Sequence, residues 1–412
     1  MRKQLFQRTL VLAVCVAAVV SGCSSSSKGN STNKSGGTIT LGYITAETGA
    51  SASSSGGSEK GAEAYIDAVN AAGGVNGKQI KLIVEDDASS VTGNLNASKA
   101  VVAKHVLGVI EDTPFDVGGY KVLQQAGIPV TGSCCNNPEW GTKPNTNMFG
   151  YGGDINPAQS IYSYTQFGQF FKQLGVTNAA FLAYANIPAS DVGSDAVAAS
   201  FKAAGIKIGY TNKNVPFGNA PMNTYAIAMK RAGVNFAICS CVQANSVAML
   251  VAAKQAGIHL VASLSAAGAD SSIFTDPTAT AAAQGTYWPT YIVPIDLNDP
   301  ATNTFVANLT KYDSDYHGGY PPEGTTVAYL GAALMVKGLE MAGSGATSAS
   351  VISKLLTLTN WTANGLLPTA ADYNHFGTFG PKSCTYFEKV EGKKFVTVNN
   401  GKPVCGTLLS SS

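Results

Sequence analysis

Cysteine and histidine are the residue types here best suited to covalent or metal chemistry, and the chain has 8 of the first and 4 of the second. Their spacing builds no metal centre. Cys134 and Cys135 are adjacent, Cys239 and Cys241 are one residue apart, and His105, His259, His317 and His375 are scattered, which is not a zinc-ligand pattern. Nucleophilic catalysis needs a nucleophile with a base in reach. The chain has no Gly-x-Ser-x-Gly elbow, no His-Glu-x-x-His, no phosphate-binding loop and no Gly-x-Gly-x-x-Gly after its first strand-like run. Neither an enzyme nor a bound cofactor or metal is expected. Oxidation is the chemistry open to Cys134, Cys135, Cys239, Cys241, Cys384 and Cys405 if the chain leaves the cytoplasm. Cys384 and Cys405 are the expected pair, because Thr385 to Phe387 and Lys394 to Val398 read as hairpin strands around Glu391-Gly392, which the bridge would staple. The spacing leaves the other pairings open. Cys134-Cys135 has two readings, a vicinal disulfide forming a hard apolar plate or two cysteines packing as small hydrophobes.

The amino terminus indicates export. Met1-Arg2-Lys3 precedes an apolar run from Leu10 to Val20, and small residues lead into Cys23, the layout of a secretory leader that is cut off. Val20-Ser21-Gly22-Cys23 resembles the lipobox of bacterial lipoproteins. That resemblance implies a signal peptide over 1–22, a diacylglycerol on Cys23, and a protein tethered to the outer face of the cytoplasmic membrane. An ordinary signal peptide with an incidental cysteine is the alternative. The apolar run itself is too short to span a bilayer, which takes ~20 apolar residues. Residues 23–36, rich in Ser, Gly, Asn and Lys, have nothing apolar to bury and read as a flexible tether.

From Gly37 onward the chain is long enough for two cores, and its 45% apolar content supplies them. Charged residues make up only 13%, and loss of Arg2, Lys3 and Arg8 with the leader would lower the formal charge from +2 to −1. No nucleic-acid footprint or polybasic membrane patch is present.

These residues are carried by alternating strand and helix patterns. Thr38 to Ile44 reads as a strand, Ser58 to Ala72 as a helix with Ala62, Tyr65, Ile66 and Val69 on one face, and Gly73-Gly74 ends it. Gln79 to Glu85 is a strand, Thr92 to His105 a helix, and Val106 to Ile110 the next strand. The pattern restarts with a strand at Asn178 to Ala183, a helix at Ser194 to Ala204, and strands at Ile206 to Tyr210 and Phe236 to Cys239. Repeated βαβ units in two blocks predict an α/β fold of two doubly wound parallel-sheet lobes. Strand C-termini and the helix N-termini after them favour polar ligands. That rule selects Thr45 to Ser55, Asp112 to Asp116, Gly132 to Asn137, Ser240 to Gln243, and Ala262 to Ala266 after a strand ending at His259-Leu260-Val261.

Asn70 to Lys78 (Asn-Ala-Ala-Gly-Gly-Val-Asn-Gly-Lys), the following strand with Glu85-Asp86-Asp87, Ala126 to Val130 leading to Asn137-Pro138-Glu139, and Thr326 to Ala333 with Gly338-Leu339-Glu340 occur in a characteristic order. The chain thereby resembles the type I periplasmic solute-binding proteins of ABC importers, in their leucine/isoleucine/valine-binding branch, over nearly all of Gly37 to Gly392. The resemblance implies two lobes joined by three crossovers that close on a small-molecule ligand, delivery to a membrane permease, no ATP site in this chain, and a monomer. It divides the chain into one lobe of 37–156 plus 292–364 and another of 157–291 plus 365–406.

Site positions follow from the same resemblance. Cys134, Cys135 and Asn136 correspond to the loop that grips a ligand carboxylate, Thr113 to Phe115 to a serine-rich part of that grip, and Ser54 to an aromatic that covers the ligand. Val242 is the candidate in the Ser240 to Gln243 segment, and Ala266 stands where an acidic residue would meet an α-ammonium group. A buried ammonium without a carboxylate costs several kcal/mol, so a standard α-amino acid requires Asp112, Asp116 or Asp270 to substitute. The expected ligand is amino-acid-like, an amide or an organic acid. Asn136 and Asn137 serve either a turn before Pro138 or the ligand. Phe115 and Trp140 favour lobe packing over a ligand platform, and Glu85, Asp86 and Asp87 read as solvated or helix-capping. A sensor presenting its closed form to a signalling receptor is the alternative function, with an extracellular hydrolase behind it.

Overall fold

The lobe nearest the amino terminus is built from β1 (Thr38–Thr45), whose Ile39, Leu41 and Tyr43 are buried, then a single-turn α1 (Ala52–Ser55), α2 (Glu59–Ala71), β2 (Gln79–Asp86), α3 (Val91–Ala103) and β3 (Gly108–Asp112). The computed structural model describes residues 36–132, 137, 139–140, 145–151, 164–185, 187–265, 268–290, 292–374 and 382–409. With α4 (Tyr120–Gln125), β4 (Val130–Gly132) and β5 (Met148–Gly150), the strands form a parallel sheet in the order β2-β1-β3-β4-β5. Ser90, in extended backbone, caps α3 by accepting from Gly93 N at 3.0 Å. The reading of Asp87 as solvated or capping is thus corrected: it is buried, and it accepts from the Thr113 hydroxyl and from Ser89 N. Glu85 pairs with Lys104, and Asp86 accepts from the Thr48 hydroxyl and Ala88 N.

A second parallel sheet follows. It takes in α5 (Gln166–Gln173), β6 (Asn178–Tyr184), α6 (Pro188–Ala203), β7 (Lys207–Val215), α7 (Met222–Ala232), β8 (Phe236–Ser240), α8 (Gln243–Gln255) and β9 (Ala262–Ser265), with strand order β7-β6-β8-β9. Two differences from the sequence reading have local causes. Helix α6 starts at Pro188 rather than Ser194, because proline's fixed φ and missing N–H suit a first helical turn. Strand β9 starts at Ala262 rather than His259: Gly257, at φ +70°, ends α8, and Val261 N donates to Asn235 O at 2.9 Å, setting Ala262 opposite Phe236. Ala262 to Ser265 are therefore strand, not the loop beyond it.

The remaining elements are α9 (Pro277–Ala283), β10 (Tyr287–Thr290), α10 (Pro300–Tyr312), α11 (Glu323–Ala342), α12 (Ser348–Leu355), β11 (Lys382–Glu391), β12 (Lys394–Thr397) and β13 (Val404–Thr407). Strands β10, β12 and β13 all pair antiparallel with β11. The β11–β12 hairpin turns at Glu391-Gly392 as expected. Cys384 lies opposite Cys405 with its sulfur 2.01 Å away, so the bridge joins β11 to β13 rather than the two arms of that hairpin.

Strand β11 serves two cores because successive side chains leave opposite faces. Phe387 enters an aromatic cluster with Phe170, Phe171 and Phe236, stacking on Phe170 at 4.1 Å. Its neighbour Val390, with Trp288 and Phe395, belongs to the larger core around α11. That long helix is buried on nearly every side and meets α2 where Gly61 allows the backbones to touch. The antiparallel sheet thus welds the two parallel-sheet cores at their junction.

Candidate functional site

The C-terminal ends of β1 and β3 lie side by side, with Thr45 opposite Asp112, and the loops leaving them carry Ser54 and Phe115. On the second sheet, β8 ends at Ser240 and leads at once into α8. These loops meet across the mouth between the sheets. Gln243 N donates to Ser54 Oγ at 3.2 Å, and the Phe115 ring stands edge-on to Phe217 with centroids 5.8 Å apart. Phe217 also stands edge-on to Tyr184 at 4.8 Å, and the Tyr184 hydroxyl accepts from Val242 N at 3.2 Å. Ser54, Phe115 and Val242, three of the residues selected from sequence, thus fall into one connected set.

The second-sheet side of this set is firmly held. Cys239 and Cys241 are bonded to each other, with sulfurs 1.94 Å apart, so neither is available to a bridge across the mouth. Ser190 accepts from Tyr184 N at 2.8 Å and donates to Ser240 O, while the Ser246 hydroxyl lies 3.4 Å from both Cys239 O and Cys241 O. Together these contacts fix the N-terminal turn of α8, whose backbone N–H groups face the first lobe.

Under the Phe115 loop lies a buried acidic network. The Thr113 hydroxyl donates to Asp87 and accepts from Phe115 N at 3.2 Å, so it is occupied within its own lobe. Asp116 accepts from Asn137 Nδ2 and Trp140 Nε1, and Asn137 also donates to Pro114 O at 3.2 Å. Asn137 therefore braces the site loop. Trp140 is fully buried beside Ile44, Val109 and Met148, the packing role expected of it. Glu111 accepts from Asn94 Nδ2 at 2.9 Å. Burial pushes Glu111 up to about 8, with Asp87 and Glu139 adding to the effect against the Asn94 bond. Burial also raises Asp116, reinforced by Glu139 and Glu111, and it raises Glu139.

The opposite face of β3 turns Asp112 toward the first turn of α11. A Cβ on Gly324 would fall 2.6 Å from Asp112 Oδ2 and 2.7 Å from Ser54 O, which places Asp112 directly below the Ser54 loop. Burial pushes Asp112 up to about 7, with Asp87 and Glu47 contributing. Glu323, the first residue of α11, is raised well above the usual carboxylate range by burial and then by Asp112 and Asp270. Asp270 itself caps a short 3-10 turn, accepting from Ser272 N at 2.8 Å.

Cys134, Cys135, Asn136 and Ala266 lie outside the described residues, as does Cys23. Sequence reasoning missed Phe217, Tyr184 and Glu323, while Gln243 lies at the end of the selected Ser240 to Gln243 segment. Phe217 escaped the strand-end rule because the strand was read as ending at Tyr210, whereas β7 runs on to Val215 and Pro216-Phe217-Gly218 follows it. Glu323 had no such signal, because it approaches from the start of a helix. Among the described residues no group of His, Cys, Asp and Glu is arranged to hold a metal ion, and no helix is long and apolar enough to cross a membrane.

The fold recurs in known structures. A branched-chain amino acid ABC transporter protein from Thermus thermophilus with bound valine superposes with a TM-score of 0.71 at 17% identity, over 89% of this chain and 96% of that one. A solute-binding protein of an ABC transporter from R. palustris in complex with benzoate gives 0.69 at 14% identity, over 90% and 98%. A solute-binding protein from Rhodopseudomonas palustris BisB5 in complex with 3,4-dihydroxybenzoic acid gives 0.66 at 18% identity, over 91% and 98%. At these identities the likeness is one of fold. No protein of curated function matches the sequence. The family model described as periplasmic binding protein matches residues 38–394, nearly the whole of the folded chain. The chain belongs to the periplasmic binding protein family, with its type I two-lobe fold.

Proposed function

We propose that the protein is an extracytoplasmic lipoprotein, anchored through Cys23, that captures a small organic solute between its lobes and hands it to the permease of an ABC importer. The lobes are 37–156 plus 292–364 and 157–291 plus 365–406. The observation that carries this reading is the contact set at the mouth, where Ser54 and Phe115 of one lobe meet Gln243 and Phe217 of the other. Contacts of this kind hold the two lobes together across the mouth, and a ligand that touches both lobes stabilises that closed form by its differential affinity for it. Ligand-contact roles fall to Ser54, Phe115 and Val242 at this mouth, with Thr113 in support, and to Cys134, Cys135, Asn136 and Ala266. No catalytic step is assigned to the chain.

Thermal unfolding of the full chain in detergent against amino acids, amides, amines and aromatic acids tests this. A ligand at 100 times its Kd is expected to add ~2.7 kcal/mol of stability. Turnover of a bound compound would instead favour an enzyme.

A further inference from the structure

The charge of the mouth restricts what can enter it. Asp112 at the end of β3, Glu323 at the start of α11 and Asp270 beyond β9 approach one another from three parts of the fold. The other titratable groups facing Asp112 are Tyr43 on β1, Glu47 in the loop after it, Asp87 after β2, Glu111 on β3 itself and Tyr151 after β5. All are acidic or phenolic. Among the described ion pairs, that of Lys60 with Glu59 stands next to Glu47 and Tyr43, and none includes Asp112, Glu323 or Asp270.

A second observation is independent of that count. Asp112 is only 1% exposed and its Oδ2 has no hydrogen-bond partner, the one donor beside the carboxyl being the Ser58 hydroxyl, which it shares with Tyr43 and Thr45. A carboxyl oxygen buried without a donor is costly, and a cation or strong N–H donor is what relieves it. Glu323 is half-buried, so it is the member of the group a solute meets first. Meanwhile the Thr113 hydroxyl donates its proton to Asp87.

Resting on the solute-binding reading above, we infer that the solute carries a cationic nitrogen, an ammonium or amidinium group, directed at Glu323 and Asp112, and that free carboxylic acids are rejected by like charge. Its arrival favours the ionised form of Asp112, so binding releases protons and strengthens as pH rises.

The test uses the full chain in detergent with pairs of similar shape and opposite charge, benzamidine against benzoate and isopentylamine against isovalerate, by thermal shift and calorimetry. The expected result is that a cationic member raises the melting temperature and its anionic mate does not. Its affinity is expected to fall by about tenfold or more in Glu323→Gln and on lowering pH from about 7.5 to about 5.5, with binding heats that depend on the buffer's ionisation heat. Asp112→Asn is a second variant, and Glu323→Gln together with the wild-type pH profile decides the matter if it fails to fold. A larger shift with the anionic member overturns the charge inference and leaves the solute-binding function standing. Silence from every pair also overturns it, and native mass spectrometry of the full chain then judges the binding function separately, by whether a small molecule travels with the protein.

Discussion

The full chain is expected to unfold at a distinctly higher temperature at pH 5 than at pH 8, with Glu111 alone contributing about 4 kcal/mol of the difference in stability. Glu111 is one of its main causes. It is 1% exposed, its Oε2 has no partner, and burial pushes it up to about 8. In the unfolded chain a glutamate titrates near ~4.3. Below that value both states hold the proton, and the native contribution is fully present. As pH climbs from ~4.3 toward 8 the unfolded chain sheds the proton while the folded one keeps it, so stability falls by ~1.4 kcal/mol per unit and then levels off above the folded value. Asp112, raised to about 7, and Glu388, raised to about 8 by burial, act in the same direction. The variant Glu111→Gln keeps an acceptor for Asn94 and removes the titration. Its melting temperature is expected to depend less on pH and to overtake that of the wild type near pH 8. A wild-type melting temperature that is flat or rises over this range would sink the account of the buried acids.

Gly61→Ala is expected to destabilise the protein by about 3 kcal/mol, read as a lower urea midpoint at unchanged slope. Helix propensity alone says the opposite, since alanine is favoured over glycine by ~1 kcal/mol inside a helix. The packing decides the sign. A Cβ at position 61 would lie 1.9 Å from Thr325 O and 3.0 Å from its Cα, both backbone atoms of α11. That helix cannot move aside, because its other faces are packed against β3, β4 and α12. Greater stability in Gly61→Ala would show that α2 and α11 do not approach as described.

Strands β1, β2, β3, β6 and β8 were legible because each is a short, mostly apolar run bounded by turns, and α2, α3 and α6 between them keep a helical spacing. Even the β11–β12 hairpin followed from local pattern, and the Cys384–Cys405 pair formed as expected although it ties β11 to β13 instead of stapling that hairpin. What was not legible depended on partners distant in the chain. Nothing around Phe387 announces that it stacks on Phe170 while Val390 joins the core of α11, and nothing at Asp87 announces Thr113. Ser54, Phe115 and Val242 could be selected as strand-end positions, but their mutual arrangement through Phe217, Tyr184 and Gln243 could not. Adjacent acids read as solvent-facing by default, and only the fold reveals that Glu111, Asp112 and Asp116 are all buried.

Closure on a small solute is the claim on which the rest depends. Pulsed electron spin resonance reads it directly, with spin labels on unnatural side chains at Val84 of β2 and Ile227 of α7, which are 38% and 52% exposed. A solute that stabilises the protein in thermal unfolding should collapse the distance distribution onto one shorter, narrower peak at saturation. A distribution identical with and without that solute would contradict closure as the means by which this protein binds.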